Sequence, residues 1–216
     1  GYNVHAIPCS IIAPETSGWF TKEINSVADL DGLRMRFFGL GANVMEKLGV
    51  TTSLLAAGDI MPALEKGAID ATEFSMPAID KLLGFPKLLK HNYYPGWHQP
   101  STMFDIIING DTWASMSASQ QSVVETACKA TMLDGLALGE AIQFDYMKAN
   151  TDAGVTNHYW SDEMLATFQS AWDEVVAELI ADDPEFGEIY GALNEFRANY
   201  QIWQEWIYLP RPSMQI

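Results

Sequence analysis

The sequence predicts an α/β fold in its first half and long helices in its second half. Up to Gly110, short apolar runs alternate with short helical segments that end at glycines. After Gly110, a Ser-x-x-Gln capping box at Ser117 begins a helical pattern, and no proline follows it before Pro184. Strands joined by short helices favour a sheet of parallel strands. We therefore predict an α/β ligand-binding region over residues 1–110 and helices over residues 111–216, as two lobes that share elements.

The elements of the first half follow in order from apolar runs and turn signals. Gly49, Gly67 and Gly84 end three helical segments, because glycine readily adopts the left-handed conformation found at helix ends. We predict strands over residues 2–8, 33–38, 51–55, 69–74 and 103–108, and helices over residues 42–48, 59–66 and 77–83. Ligands of such sheets bind at the carboxyl ends of the strands.

The second half is predicted to be helical almost throughout. From Ser117 to about Asn150 the apolar spacing predicts one helix of roughly 30 residues, far longer than the average helix. Such a length is typical of a strut that spans two lobes. A second helix is predicted from Ser161, and a third follows Pro184, a residue suited to a first helical turn. Residues 209–212, Leu-Pro-Arg-Pro, cannot be helical throughout.

Composition limits the classes of partner. The chain has 216 residues, 48% of them apolar, and a formal net charge of −16, as in a globular acidic protein. This charge excludes nucleic acid as a partner and disfavours docking on anionic lipid, because both need surface Lys and Arg. A small anionic ligand remains compatible, since it needs only one well-placed cation in a pocket. No stretch approaches the roughly 18 apolar residues of a membrane span.

Two cysteines, Cys9 and Cys128, are too few for a disulfide scaffold or a zinc cluster. Their spacing does not demand a disulfide, although an oxidising compartment would allow one. The sequence therefore favours two buried thiols.

Arg36 is a candidate carboxylate ligand. It lies near the carboxyl end of the strand predicted over residues 33–38, beside Phe37 and Phe38, in a chain with only 12 Lys and Arg. The planar guanidinium can bind both oxygens of a carboxylate. The alternative is a structural ion pair with one of the 28 acidic residues.

Further polar candidates lie in three separate segments. Glu73 ends an apolar strand, where a buried carboxylate must be paired, protonated or metal-bound, or else the side chain faces water. Glu15 lies in the loop that follows the first strand. The segment from Tyr94 to Pro100 combines two prolines, a glycine and a tryptophan with His98 and Gln99, two potential ligand donors. Motifs of serine hydrolases, zinc proteases and nucleotide-binding loops are missing from the sequence.

Four motifs give the chain a resemblance to a known family. They are Gly18-Trp-Phe20, Asp29-Leu-Asp-Gly-Leu-Arg-Met-Arg36, Leu64-Glu-Lys-Gly-Ala-Ile-Asp-Ala-Thr-Glu73 and Tyr94-Pro-Gly-Trp-His-Gln-Pro100. In this order they resemble the extracytoplasmic solute-binding proteins of tripartite ATP-independent periplasmic (TRAP) transporters, in the branch that binds 2-oxo or 2-hydroxy monocarboxylates. The resemblance covers nearly the whole chain but begins partway into a family member. An N-terminal segment that builds much of the first lobe is therefore expected to precede it.

The resemblance implies a fold and a site. The family fold is of the periplasmic-binding-protein type, with two α/β lobes that close on the ligand and a long spanning helix. Arg36 matches the arginine that pairs with the ligand carboxylate. Glu15, Glu73 and the main-chain oxygen of Phe74 match the ligands of a bridging metal, Na⁺ or Ca²⁺, and Gln99 matches a ligand contact. Phe20, Trp97 and Phe74 are expected to shape the pocket.

Three positions depart from the pattern of that branch. Position 15 is usually glutamine there and is Glu15 here, whereas position 99 is usually glutamate and is Gln99 here. This pair of changes preserves the formal charge of the pocket. Phe74 stands where tryptophan is usual, which leaves a main-chain ligand intact but widens the pocket and puts the identity of the ligand in doubt.

The sequence thus predicts a periplasmic binding protein, not an enzyme, that delivers a small carboxylate to TRAP membrane subunits. It also predicts a homo-oligomer, with Trp203, Trp206 and Tyr208 in the contact. The alternative is a carbohydrate-active hydrolase that uses Glu15 and Glu73 as its acid and base.

Overall fold

The computed structural model describes residues 2–208, and it has the predicted α/β architecture followed by long helices. The prediction for residues 209–212 lies outside the described residues. This described part of the chain has eight strands: β1 (Val4–Ile12), β2 (Gly18–Phe20), β3 (Arg34–Arg36), β4 (Thr51–Ser53), β5 (Ala71–Thr72), β6 (His91–Tyr94), β7 (Thr102–Asn109) and β8 (Thr156–Tyr159). They form a six-stranded sheet and a separate ribbon of two strands.

The six-stranded sheet is mixed, with strand order β4-β3-β5-β2-β6-β8. The β3–β4 and β3–β5 pairs are parallel, as predicted, and β6 and β8, which were not predicted as strands, also pair in parallel. β2 is antiparallel to both of its neighbours, β5 and β6, which the prediction of parallel strands had wrong. The partners of β2 lie far along the chain, so no short strand–helix–strand connection imposes a parallel direction on it.

The ribbon consists of β1 and β7 alone. They pair antiparallel from Val4↔Asn109 to Ile12↔Thr102, with an irregularity between Pro8 and Ser10. Glu15 follows β1 and Gln99 precedes β7, so the end of the ribbon at Ile12 leads directly to two predicted site residues.

Seven α-helices complete the described chain. They are α1 (Leu40–Lys47), α2 (Ala57–Glu65), α3 (Pro77–Leu83), α4 (Gly110–Ser115), α5 (Ala118–Asp152), α6 (Asp162–Asp182) and α7 (Pro184–Ile207). α5 has 35 residues, begins at the predicted capping box of Ser117 and is continuous. Within residues 2–208, none of the helices combines the length and apolar character that crossing a membrane requires.

α5 packs closely along β1. A Cβ atom at Gly135 would lie 2.8 Å from the carbonyl oxygen of Ile11, and one at Gly139 would lie 3.2 Å from the Ala13 backbone nitrogen. The two glycines therefore permit a helix-to-strand distance that larger residues would prevent.

Cys9 and Cys128 form a disulfide, so the prediction of two free thiols was wrong. Cys9 lies at the irregularity in β1, where the pairing with β7 skips one residue. Such a bulge redirects a side chain away from the alternation of a regular strand. Because α5 lies against β1, this redirection brings Cys9 to Cys128. Residue spacing alone could not reveal the contact, since the two cysteines are 119 positions apart.

Two apolar clusters support the six-stranded sheet. The larger contains residues from β2, β3, α1, β6 and the start of α6: Phe20, Met35, Phe37, Met45, Tyr93, Trp160 and Phe168 are among its members. The second joins Trp19 to residues of α2 and to Phe85 and Leu89. Neighbouring residues Trp19 and Phe20 thus enter different clusters, as expected for successive side chains of a strand.

Within residues 2–208 the chain divides into two compact units, one up to Gln169 and the other from Ser170. The second unit holds the rest of α6 and all of α7. Within it, Tyr190 packs against Trp172 and Phe186. The predicted division at residue 110, and a role of α5 in spanning two lobes, remain predictions.

Candidate functional site

Arg36 is the last residue of β3, between β4 and β5 in the sheet. Arg36 is 5% exposed. Its Nη1 donates to the main-chain oxygen of Glu73 at 2.8 Å and to Glu73 Oε2 at 3.0 Å. Nε donates to the carbonyl oxygen of Leu55 at 3.2 Å, and the guanidinium carbon lies 5.0 Å from the centre of the Phe74 ring. Nη2 donates no hydrogen bond within residues 2–208. Nε and Nη1 are therefore held in place, while Nη2 remains available.

Glu73 directly follows β5 and is 2% exposed. Its Oε1 accepts a hydrogen bond from the Phe38 amide at 2.8 Å, and its Oε2 accepts from Arg36. Burial raises the pKa of Glu73 above its ordinary value, while Arg36, His98 and the Phe38 amide oppose that rise. The nearby charge of Glu15 adds to the rise. Burial and the charge of Glu15 thus disfavour the ionised form of Glu73, whereas Arg36 favours it.

Glu15 is 6% exposed and lies in the loop between β1 and β2. Its amide donates to the carbonyl oxygen of Gln99 at 3.3 Å. Its Oε1 accepts from Gln99 Nε2 at 3.2 Å and from Thr102 Oγ1 at 3.5 Å. A Cβ atom at Gly96 would lie 2.2 Å from the Glu15 carbonyl oxygen, so glycine is required there. The loop from Tyr94 to Pro100 therefore fixes both the main chain and the side chain of Glu15.

His98 completes the cluster. Its side chain is 4% exposed and packs edge-on against Phe37 with ring centres 4.9 Å apart. Nε2 lies 3.7 Å from Glu15 Oε2, and neither ring nitrogen makes a hydrogen bond with a described residue. Glu15, Glu73 and His98 each place one potential metal-ligand atom within 4.8 Å of the other two.

The donor set fits a small cation. Glu15 and Glu73 are both buried and lie close together, while the Arg36 guanidinium pairs with Glu73, so the charge of Glu15 needs another positive partner. Carboxylate oxygens are the ligands that Na⁺ and Ca²⁺ prefer. An imidazole nitrogen is a softer ligand, and its place beside Glu15 suits His98 to orient that carboxylate.

The structure brings most of the predicted site residues into contact. Arg36 contacts Glu73 and the Phe74 ring, and Glu15 contacts Gln99. Since positions 15 and 99 are hydrogen-bonded to each other, an exchange of acid and amide between them keeps the negative charge in one place.

The predicted aromatic residues are more dispersed. Trp97 packs against Phe37 and His98, at the edge of the cluster. Phe20 is 1% exposed and packs edge-on against Tyr93 and Trp160 in the larger apolar cluster. A pocket-lining role for Phe20, and metal ligation by the main-chain oxygen of Phe74, remain predictions.

Two residues near the site were missed as site residues. His98 was recognised as a potential donor, but a single histidine carries no sign that it will meet two acids from distant segments. Thr102 begins β7, and only its pairing position beside Ile12 brings its hydroxyl to Glu15.

Comparison with known proteins gives a family and a curated relative. Residues 14–183 match the family described as bacterial extracellular solute-binding protein, family 7. The monocarboxylate 2-oxoacid-binding periplasmic protein of Nostoc sp. (strain PCC 7120) is 33% identical over 202 residues, which are 94% of this chain and 56% of that protein. The chain thus spans little more than half the length of this relative.

Solved structures show the same fold. A TRAP transporter solute-binding protein from Bordetella bronchiseptica is 33% identical with a TM-score of 0.89, over 94% of this chain and 60% of that one. It crystallised as a mixed-occupancy dimer, with copurified calcium and picolinate in one site and an apo second site. A TRAP periplasmic solute-binding protein from Pseudoalteromonas atlantica, with bound sodium and pyruvate, is 28% identical with a TM-score of 0.87, over 95% and 63% of the two chains.

Proposed function

Since this chain belongs to the bacterial extracellular solute-binding protein family 7, we propose that it captures a small 2-oxo or 2-hydroxy monocarboxylate for a TRAP transporter. The observation that carries the proposal is the buried cluster in which Arg36 keeps Nη2 available beside two carboxylates. The two similar structures bound picolinate with calcium and pyruvate with sodium. The protein works in the periplasm, and its partners are the membrane subunits of the transporter.

Each residue of the cluster has a distinct task in this proposal. Arg36 binds the ligand carboxylate through Nη2, and its hydrogen bonds to Glu73 and Leu55 fix the guanidinium beforehand. Glu15 and Glu73, with the main-chain oxygen of Phe74, hold Na⁺ or Ca²⁺. When bound, that cation attracts the carboxylate and the adjacent oxo or hydroxyl oxygen of the ligand. Gln99 orients Glu15 and contacts the ligand.

Apolar side chains set the remaining shape of the proposed pocket. The Phe74 ring lies over the Arg36 guanidinium, and Trp97 lies beside His98. Phe20 supports this wall from the larger apolar cluster. A site lined by aromatic groups and a few convergent polar groups is typical of small-molecule binding.

The hydrolase alternative is not supported. The chain belongs to a family of solute-binding proteins, and Glu73 is paired with Arg36. Membership of that family favours a protein that binds its ligand without chemical change.

Calorimetric titration with pyruvate, lactate and longer 2-oxo acids tests the proposed function directly. We expect binding of a 2-oxo acid in the presence of Ca²⁺ or Na⁺ and weaker binding after both ions are removed with chelator and buffer exchange. Acetate, which has a carboxylate but no second oxygen on the neighbouring carbon, is the matched control ligand and should bind more weakly. Equal affinity for acetate and pyruvate would contradict the proposed chelation.

Glu73→Gln is expected to raise the metal concentration needed for ligand binding. The change keeps the size of the side chain but removes one of two charges that hold the cation. We expect the apparent cation affinity to fall by about 10- to 100-fold or more, because loss of an outer-shell partner already has an effect of this size and Glu73 is proposed as a direct ligand. Titration of Ca²⁺ at fixed pyruvate measures this affinity. Glu65→Gln, at an exposed position in α2, is the control and should behave like the parent. An unchanged Ca²⁺ requirement in Glu73→Gln would remove Glu73 from the metal site.

We also propose that the protein self-associates, with a second copy of the chain as its partner. On α7 and just after it, Trp203, Trp206 and Tyr208 are 57%, 86% and 57% exposed, an unusual amount of aromatic surface facing water. We expect sedimentation velocity to show a dimer or larger species, and Trp203→Ser/Trp206→Ser to shift it towards the monomer. A parent protein that stays monomeric across a wide concentration range would contradict this proposal.

A further inference from the structure

Asp80 is a buried acid outside the cluster described above. It lies in α3 and has no exposed surface. Within residues 2–208, no Lys, Arg or His side chain forms an ion pair with it. An unpaired carboxylate in the interior is costly, so its place requires a compensating set of hydrogen bonds.

Three donors supply these hydrogen bonds. The Ser75 amide donates to Asp80 Oδ1 at 3.0 Å. The Trp19 indole Nε1 and the Thr16 hydroxyl donate to Oδ2 at 2.8 Å and 3.3 Å. Two of the three, an amide and an indole, can only donate, so the group between them must accept on both oxygens.

The donors belong to the segments that carry the two acids of the site. Thr16 directly follows Glu15, and Ser75 lies two residues after Glu73. The Thr16 amide also donates to the Ser75 carbonyl oxygen at 3.1 Å, so the two segments are joined directly as well as through Asp80. The Asp80 carboxylate thus joins the segment that carries Glu15 to the segment that carries Glu73.

We propose that Asp80 is a positioning residue that fixes the separation of the Glu15 and Glu73 carboxylates and thereby sets the affinity of the site for its cation. This inference rests on the proposed function, since it assigns Asp80 to that same site. Asp80 contacts neither the cation nor the ligand in this proposal, and it acts through Thr16 and Ser75.

The ionisation of Asp80 agrees with such a role. Burial raises the pKa of Asp80 to about 7, and the charge of Glu15 contributes to the rise. The hydrogen bonds from Trp19, Ser75 and Thr16 oppose it because they favour the charged form. Experiments at pH 8 therefore address the ionised carboxyl, which accepts on both oxygens.

Asp80→Asn tests the proposal because it changes one acceptor into a donor at nearly constant volume. We expect the amide oxygen to face the Ser75 amide, because the Thr16 hydroxyl can then accept from the amide nitrogen, whereas the reverse orientation would set that nitrogen against the Ser75 amide. In the expected orientation the nitrogen also faces the Trp19 indole, so two donors oppose each other there. Replacing Trp19 by phenylalanine removes the opposing donor.

The measurement is Ca²⁺ affinity at pH 8 with saturating pyruvate, in parent, Asp80→Asn, Trp19→Phe and the double variant. We expect Asp80→Asn to lose about 10-fold in Ca²⁺ affinity, the lower end of the effect of removing an outer-shell partner, because Asp80 acts on the acids through Thr16 and Ser75. In the Trp19→Phe background the same change should cost less, a coupling that a double-mutant cycle reveals. Circular dichroism and urea unfolding establish that each variant is folded.

Thr16→Val covers the case in which Asp80→Asn does not fold. It removes one donor and leaves Asp80 ionised between the other two, so we expect a smaller but measurable loss of Ca²⁺ affinity. Thr16→Ser keeps the hydroxyl and should bind like the parent. If the parent binds Ca²⁺ and pyruvate and both Asp80→Asn and Thr16→Val have the Ca²⁺ affinity of the parent, the proposed function stands and the role of Asp80 is overturned. An equal loss in both Trp19 backgrounds would overturn it too, whereas a parent that binds neither ligand would overturn the proposed function with it.

Discussion

Arg36→Ala is expected to weaken the binding of a 2-oxo acid by about 30-fold or more. Loss of a charged partner in a desolvated site costs about 2–5 kcal/mol. Part of this cost arises because Glu73 would lose the guanidinium that contacts its carboxylate and its main-chain oxygen. Calorimetric titration of pyruvate at saturating Ca²⁺ measures the effect.

Two further variants separate the possible causes of that loss. Arg34→Ala removes the neighbouring arginine of β3, whose exposed ion pair with Asp70 lies outside the cluster, and should leave affinity unchanged. Arg36→Ala/Glu73→Gln removes the unpaired acid together with the arginine. If Arg36 binds the ligand carboxylate, the double variant binds pyruvate more weakly than Glu73→Gln alone at saturating Ca²⁺. Equal affinity of these two variants would show that Arg36 serves only to neutralise Glu73.

Removal of the Cys9–Cys128 disulfide is expected to lower the free energy of unfolding by about 4–5 kcal/mol. The bond closes a chain segment with a sequence separation of 119, and the entropy that it removes from the unfolded chain grows with this length. Cys9→Ala/Cys128→Ala tests the expectation, since alanine suits the helical position 128 and adds no polar group to the interior.

Urea unfolding followed by tryptophan fluorescence measures the stability change, with and without dithiothreitol. The reductant should destabilise the parent and leave the double variant unaffected, which is the internal control. A thiol assay on the denatured parent should detect no free thiol. Two free thiols per chain, or equal stability of parent and variant, would contradict the bond.

Local signals in the sequence predicted the helices well. The capping box at Ser117 and the glycine at position 84 act within a few residues, and α5 and α3 begin and end close to where these signals place them. The short strands β2, β6 and β8 escaped prediction, since three or four residues are too few to show an alternation. Their pairing partners, not their own composition, make them strands.

The site was predictable in part for a similar reason. Arg36 ends β3 and Glu73 directly follows β5, positions near strand ends that the sequence predicted, and the family resemblance added Glu15 and Gln99. His98 and Asp80 lie in segments whose partners are far away along the chain. Asp80, for example, accepts hydrogen bonds from Trp19 and Thr16, which lie 61 and 64 positions earlier in the chain. No local sequence pattern predicts contacts over such a separation.

The ribbon of β1 and β7 has a mechanical consequence. It is about 30 Å long, from the nine residues of β1 at about 3.3 Å each. The site is divided, because Glu15 and Gln99 lie at one end of this ribbon while Arg36 and Glu73 belong to the six-stranded sheet. A rotation of about 10° about the Ile12–Thr102 end would displace the Val4–Asn109 end by about 5 Å. A rigid rotation of the ribbon at the site would therefore move its far end by several ångströms, and the Cys9–Cys128 disulfide ties such a motion to α5.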